Sequence, residues 1–551
     1  MDLTDRKRKN EDDDQLSPSK KTLTDEAALD LDRQAPDVEM KLTNGTNGHV
    51  EEGADQEEPS SPELILDLAK IPDEFKANGL NIIKMRIVHE DGISASNTKD
   101  FKPLFVYQFF AEPRDEADVR REEEEALQVE QGNGDGGSED GEDGAVIEQD
   151  EDTSDATEGL IVGFKNLKVE LYFTPVGLKP YIVESSSELL PPDQRSVQDI
   201  VKAVEEGYGE QEVMKTEETF LQAVKKEQNF QPFGTKIWST TQNGGGKNGV
   251  EVYEVGADSI GKGYPDGFSE YLKGIQPFLK WFIYASSIIT AEHTKWLHYF
   301  MYEKPTENTF RLVGYCSVYR YTVWPKKIDD TSGQFGNTVF RCRIAQFLIL
   351  PPYQKAGYGT QLLLTILKNL QQVAYEITVE EATPEFQRLF DTATTFMVNQ
   401  HVTGQDGASV GSDLTQWYSR PAIKDLRKKL KFSPRTLKQC LDILACQSAD
   451  RDGASTVRQF RNRIQTELKK KIEKNIKEHE KSLERTVLGY YSVAEGDKAE
   501  EDTLKALWNV NLNDQIQKEQ TILETDELDS MVRSIMDRYQ KVSKRMENIR
   551  F

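Results

Sequence analysis

Residues Arg341 to Leu362 read Arg-Cys-Arg-Ile-Ala-Gln-Phe-Leu-Ile-Leu-Pro-Pro-Tyr-Gln-Lys-Ala-Gly-Tyr-Gly-Thr-Gln-Leu. An apolar strand ends at Pro351-Pro352, a loop over Gln354 to Gly359 has the form Gln-x-x-Gly-x-Gly, and a strongly apolar helix starts directly after it. Glycine lets the main chain approach a ligand closely, and the first N–H groups of a helix have no partner inside the helix. With the positive end of the helix dipole behind them, such groups suit a diphosphate, so a phosphate-bearing cofactor is expected at this junction. A bare glycine pair is more often a plain turn; the strand before it and the apolar helix after it give the spacing its meaning.

The loop lacks the Gly-Lys-Ser/Thr ending of a P-loop and the three-glycine dinucleotide fingerprint with its later ribose-binding acid. Strand, Gln-x-x-Gly-x-Gly and helix together resemble the acetyl-coenzyme A motif of the GNAT superfamily of N-acetyltransferases. Further stretches narrow the resemblance: Gln346-Phe347-Leu348-Ile349-Leu350 with Pro352-Tyr353-Gln354, Ile377-Thr378-Val379-Glu380-Glu381, Trp281-Phe282-Ile283 with Trp296, and Gln108-Phe109-Phe110 resuming at Val162-Gly163-Phe164-Lys165-Asn166-Leu167. Together they resemble the catalytic subunits of type B histone acetyltransferases over residues 63 to 400.

That resemblance implies an α+β chain with the GNAT fold, a mixed central sheet flanked by helices, using acetyl-coenzyme A as cosubstrate and no metal. It implies that main-chain groups of Phe347, Leu348 and Ile349 pair with the pantetheine arm, and that Gln354, Lys355, Ala356, Gly357, Tyr358, Gly359 and Thr360 hold the diphosphate. Glu380 matches the family's catalytic glutamate and Glu381 an adjacent acid. A free lysine ammonium, with a pKa near 10.4, needs roughly 4.6 kcal/mol to be neutral at pH 7, which a positioned carboxylate can relieve as the amine attacks. The family places a third acid on the helix containing Trp281-Phe282-Ile283; here that position is Tyr284, a poor base at neutral pH. For the substrate, the N-terminal tail of free, newly synthesised histone H4 (with H3), the resemblance points to Trp296, Tyr319, Arg320 and Tyr321, with Asp155 and Glu158 in place of the family's acidic patch. It further implies a WD-repeat histone chaperone as partner. A histone-binding scaffold with weakened catalysis, or an acetyltransferase for another protein, stays open.

The elements that must position these residues follow from periodicity. Short strands at Met85 to Val88, Phe105 to Phe110 and Leu167 to Phe173 predict a sheet-rich N-terminal domain over 63–190, interrupted by an acidic insert at 114–158. Helices are expected at Asp193 to Tyr208, Glu217 to Glu227, Phe268 to Ile289 and Gly357 to Gln372. Strands are expected at Leu297 to Glu303, Arg311 to Val323, Val339 to Leu350 and Tyr375 to Thr378. These make an acetyltransferase domain over 191–383. Residues 384–551 turn helical, with segments Leu414 to Leu430, Pro434 to Cys446, Ser455 to Leu488 and Gln515 to Ile549; in the last, Leu528, Met531, Val532, Ile535 and Tyr539 form one stripe.

The 551 residues carry a net charge of −26, very unevenly. Residues 1–62 hold 17 acids against 8 bases and residues 114–158 hold 19 against 3, so the rest of the chain is almost neutral. This excludes a uniformly acidic surface and a basic nucleic-acid-binding body. Both acidic stretches lack the apolar content to offset ordering entropy and are expected to be disordered. Arg6 to Lys9 followed by Lys20-Lys21 has the spacing of a two-part nuclear import signal, so nucleus and cytoplasm are the expected compartments. Four cysteines without CxxC spacing and six scattered histidines signal neither a disulfide framework nor a zinc site. The longest apolar run, Trp281 to Ala291, is short of the roughly 20 residues of a membrane span.

Overall fold

The computed structural model describes residues 65–93, 99–110, 114–115, 159–209, 212–240, 248–257, 263–291, 293–323, 339–403, 414–489, 515–523 and 525–549. The expectations for residues 1–62, for almost all of the acidic insert, and for Asp155 and Glu158 lie outside these. From Glu63 onward the chain forms one compact unit.

A small sheet comes first. Strand β1 (Ile83–Ile87) pairs in parallel with β2 (Lys168–Phe173), which pairs antiparallel with β3 (Pro180–Ser185). Alternation sends Ile83, Met85 and Ile87 inward beside Val169, Leu171 and Phe173. Helices α1 (Ile200–Tyr208) and α2 (Glu217–Glu227) follow, capped by Asp199 and Thr216.

The central sheet has six strands in chain order: β4 (Thr235–Thr240), β5 (Gly249–Gly256), β6 (Trp296–Thr306), β7 (Thr309–Val323), β8 (Val339–Ile349) and β9 (Ala374–Val379). All neighbours are antiparallel except β8 and β9, which are parallel and need the crossover helix α4 (Tyr358–Leu370) between them. Strands β6 and β7 are buried on both faces because helices cover both. Helix α3 (Phe268–Leu279) packs on the face bearing Phe300, Tyr302 and Tyr315, and that core runs on into the small sheet. Helix α4 and α5 (Pro384–Thr403) pack on the face bearing Cys316, Val318, Cys342 and Ile344. The mixed sheet between helices expected of the GNAT fold is present.

The helical C-terminal region consists of α6 (Arg420–Leu430), α7 (Pro434–Asp452), α8 (Ala454–Gly489) and α9 (Glu527–Glu547). Buried Asp391 of α5 ties α9 to the body: it accepts from Gln387, from Gln439 of α7 and from the Arg538 guanidinium of α9. All four cysteines are free and buried. No helix among the described residues is long and apolar enough to cross a membrane.

Six expectations are corrected. The helix expected over Asp193 to Tyr208 begins only at Ile200, behind the Asp199 cap, and the segment Gln515 to Ile549 is broken before α9 starts at Glu527. Phe105 to Phe110 is a turn, not a strand: the N–H groups of Leu104 and Phe105 donate to the Trp281 carbonyl at 2.9 and 3.1 Å, and Phe109 stacks on Trp281 at 3.6 Å between centroids. Its aromatics plug a core and join no ladder. The helix begun at Phe268 runs through Pro277 and stops at Leu279, where the N–H groups of Lys280 to Ile283 close tight turns onto the carbonyls of Pro277 to Leu279, so Tyr284 lies beyond the helix. Leu414 to Leu430 splits at the Ser419 cap, whose hydroxyl accepts from the Ala422 N–H. On α9 the buried stripe is Leu528, Val532, Met536, Tyr539, Val542 and Met546, leaving Met531 exposed. The hairpin of β4 and β5 carried no sequence expectation, and α5 begins at Pro384, where the helical pattern was expected to start.

Candidate functional site

The site is organised by a divergence between two strands. Pairing of β8 with β7 runs from Val339–Val323 to Ile349–Gly314, whereas pairing with β9 ends at Ile344–Val379. The last link on that side is the Glu380 N–H, which donates to the Ile344 carbonyl at 2.9 Å. Beyond it the edge of Ala345 to Ile349 turned away from β7 has no strand beside it among the described residues, and a wedge opens between β8 and β9. A β-bulge lies at its apex: Ile344 is opposite Val318 and Phe347 opposite Cys316, so Ala345 and Gln346 together face Ser317.

One side of the wedge continues into the glycine loop. Leu350 N–H donates to the Val313 carbonyl, Pro351–Tyr353 form a short 3-10 turn, and the Gln354 amide donates to the Ile349 carbonyl at 2.8 Å. Lys355 and Gly357 have φ of 63° and 88°, and α4 then starts at Tyr358 without a side-chain cap. Gln354, Lys355, Ala356 and Gly357 are exposed, Gly359 and Thr360 half-buried, and Tyr358 buried. A Cβ on Gly357 would meet nothing within 4 Å, and one on Gly359 would make only ordinary contacts with Leu389 and Ile349. Gly357 is required by its left-handed backbone, whereas neither packing nor conformation demands Gly359; an open cradle of helix-start N–H groups fits the diphosphate of acetyl-coenzyme A. Phe347 serves packing through its ring, 5.0 Å from Phe386 of α5, which leaves its main chain for the wedge.

On the face of the sheet that α3 leaves open stands a row of aromatic side chains. Trp296 is paired across the strands with Tyr319 and Tyr319 with Arg343, so all three share one face, as does Tyr321 two residues on. Ring centroids are 4.9 Å apart for Trp296–Tyr319 and 4.6 Å for Tyr319–Tyr321. The Arg343 guanidinium lies 4.8 Å above the Tyr321 ring and reaches the Glu380 carboxylate at 3.5 Å. Burial pushes the Tyr321 phenol up, with Arg343 opposing. Glu380 is about half exposed, so its carboxylate stands between the aromatic row and the wedge.

Arg320 does not join this row. Strand alternation turns it to the other face, where it donates to the carbonyls of Thr294 and Lys295 and lies over Phe340. Glu381 is exposed at a φ of 21°, in the turn entering α5. Tyr284 is 68% exposed, its ring 5.6 Å from Phe105 and 5.5 Å from Tyr107. Sequence reasoning did not single out Arg343 or Phe386; the alternation of Arg341 and Arg343 along an otherwise buried strand was the available signal. No group of three or more His, Cys, Asp or Glu among the described residues is placed to hold a metal ion.

Comparison with known proteins places the chain. The profile of the family described as histone acetyl transferase HAT1 N-terminus matches residues 156–284. The histone acetyltransferase type B catalytic subunit of Mus musculus is 30% identical over 321 residues, covering 56% of this chain and 70% of that protein. The Homo sapiens subunit is 30% identical over 259 residues (45% and 56%), and that of Mycosarcoma maydis 26% identical over 292 residues (49% and 62%). The chain belongs to the family of histone acetyltransferase type B catalytic subunits. It spans about 56 to 62% of the length of the last two relatives. An aminoglycoside acetyltransferase from an uncultured soil metagenomic sample, 14% identical, overlaps 26% of this chain and 83% of its own with a TM-score of 0.17, too low to carry weight.

Proposed function

We propose that this protein is a histone acetyltransferase that moves the acetyl group of acetyl-coenzyme A to lysine side chains on the N-terminal tail of free, newly synthesised histone H4. The observation that carries this is the wedge: one carboxylate, Glu380, sits where β9 leaves β8, and the free edge of β8 runs from there to an exposed glycine loop at a helix mouth. Bound there, acetyl-coenzyme A supplies an activated thioester. Gln354 to Thr360 hold its diphosphate, and the main chain of Phe347 to Ile349 pairs with its pantetheine arm. Trp296, Tyr319 and Tyr321 present an aromatic wall along which a lysine's methylene stem packs with its nitrogen toward Glu380. Glu380 takes the ammonium proton as the amine attacks the thioester carbonyl, the C–S bond breaks and the coenzyme thiol leaves.

Family membership supports the histone substrate, with H3 bound alongside H4, a WD-repeat histone chaperone as partner, and residence in nucleus and cytoplasm. A second reading, a histone-binding scaffold with weakened catalysis, draws on Tyr284 standing exposed where relatives carry an acid. Labelled acetyl-coenzyme A with an H4 tail peptide separates the two. Transfer that Glu380→Gln lowers by about a hundredfold supports the enzyme, in line with the usual worth of a general base. Tail binding without transfer at any pH favours the scaffold.

A further inference from the structure

Directly beneath the bulge at the apex of the wedge lies a buried polar network with no evident part in proton transfer. The Gln346 side-chain amide donates to the Ser287 carbonyl at 2.9 Å and the Ser286 hydroxyl at 3.2 Å. Its oxygen accepts from the Gln276 amide of α3 at 3.2 Å, and that amide also donates to the Tyr315 hydroxyl at 3.0 Å. The Gln276 oxygen accepts the Ile289 N–H at 3.0 Å. The bulge's own N–H, on Gln346, donates to the Ser317 hydroxyl at 3.1 Å, where a regular ladder would supply a carbonyl. Tyr315 meets His298 Nδ1 at 2.8 Å, and His298 is held neutral by burial, its pKa pushed down to about 3.

This arrangement is expensive for a structural plug. Gln276 and Gln346 are 1% and 7% exposed, and two apolar side chains of similar volume would fill the space without polar groups to satisfy. The network instead supplies direction. It joins the bulge, which sets how the edge of Phe347 to Ile349 is presented, to the segment Ser286–Ile289 just after Tyr284, the turn bordering the open face. An apolar pair would give the same density without fixing either peptide's rotation, since dispersion is non-directional and a bonded amide is not.

We propose that the Gln346–Gln276 amide pair is a positioning device for acyl transfer, locking the β8 bulge to the Ser286–Ile289 segment so that the thioester-facing main chain and the Tyr284 turn keep one relative geometry. This rests on the acetyltransferase reading and names the residues that align its site. They touch neither substrate nor proton; they act through the main chain they hold.

The experiment compares Gln346→Met, Gln276→Met and the double variant in acetyl transfer to an H4 tail peptide, with acetyl-coenzyme A affinity from calorimetry. Each single change is expected to lower kcat by about ten- to a hundredfold, the usual consequence of small misplacement, with acetyl-coenzyme A affinity, carried in part by the glycine loop, falling by no more than about threefold. The double variant should be no worse than the poorer single, since one device is removed twice. Unchanged kcat, equal losses in affinity and kcat, or losses that multiply would overturn the proposal. Where methionine at 346 costs the fold, Gln346→Glu keeps the volume but faces the Ser287 carbonyl with an acceptor; the same kcat loss supports positioning, and unfolding of this variant too makes the network a folding element and sinks the idea. A parent protein without transfer activity would instead count against the acetyltransferase reading itself.

Discussion

Single residues carry consequences measurable apart from one another. His298 is almost wholly buried and neutral, with its pKa near 3 against 6.5 when unfolded. The unfolded chain therefore binds the extra proton between those values, so this contribution lowers stability as pH falls through that window and leaves it flat above. Urea unfolding should show a slope of about 1 kcal/mol per pH unit from this residue between pH 6 and 4, which His298→Gln removes. His89, pushed down to about 4 by burial and by Arg311, adds a second slope of the same sign over a narrower window. At Arg343 the expected effects separate: its pair with Glu380 is partly solvent-exposed and 3.5 Å long, so Arg343→Met should cost under about 1 kcal/mol of stability. Turnover should fall several-fold, because the arginine stacked on Tyr321 is what holds the Glu380 carboxylate in place. Equal turnover in that variant would mean that Glu380 needs no such support.

At the scale of elements, the loop between β8 and α4 and the docking of α9 are the informative cases. Gly357 occupies the left-handed region with open space around it, so Gly357→Ala should cost about 1 kcal/mol of stability from backbone conformation alone. Its effect on acetyl-coenzyme A affinity should be larger, since the added methyl stands in the cradle where the diphosphate would approach; calorimetry with the coenzyme reads the difference. Helix α9 is held through Asp391, which is 3% exposed and faces Arg538. Arg538→Met leaves that carboxylate buried with only two neutral donors and should destabilise the protein by about 3 kcal/mol. Because α5 carries both Asp391 and Phe386, the latter against Phe347, a raised KM for acetyl-coenzyme A is expected in the same variant.

For the molecule as a whole, the distribution of charge sets the expectation. Residues 114–158 carry −16, while the proposed substrate tail is strongly basic. Deleting residues 116–150, which keeps Asp155 and Glu158, should slow histone association at low salt and leave peptide turnover nearly intact, because long-range attraction is screened beyond about 8 Å at physiological ionic strength. A deletion that lowers turnover equally at high salt would place this segment in the site itself.

Much of this is legible in the chain because local chemistry repeats with a readable period. The apolar run of β8, the glycine loop and the start of α4 lie within a single continuous stretch, Arg341 to Leu362, so their order along the chain is enough to locate the cradle. Glu380 is singled out by the family resemblance, since an acid directly after a short strand is by itself more often a helix-start residue. Tertiary structure alone decides what those pieces face. Where β9 parts from β8 depends on pairing between segments far apart in the chain, Ile344 with Val379, and the Arg343–Tyr321 stack and the Gln276–Gln346 bonds likewise join residues from different elements. Phe105 to Phe110 shows the same limit in reverse: aromatic alternation there reads as a strand, yet Trp281 offers those rings a better partner than any ladder does. Periodicity reports which face of an element is apolar; only the assembled fold determines which neighbour that face meets, because contact free energy is set by a partner the local sequence does not contain.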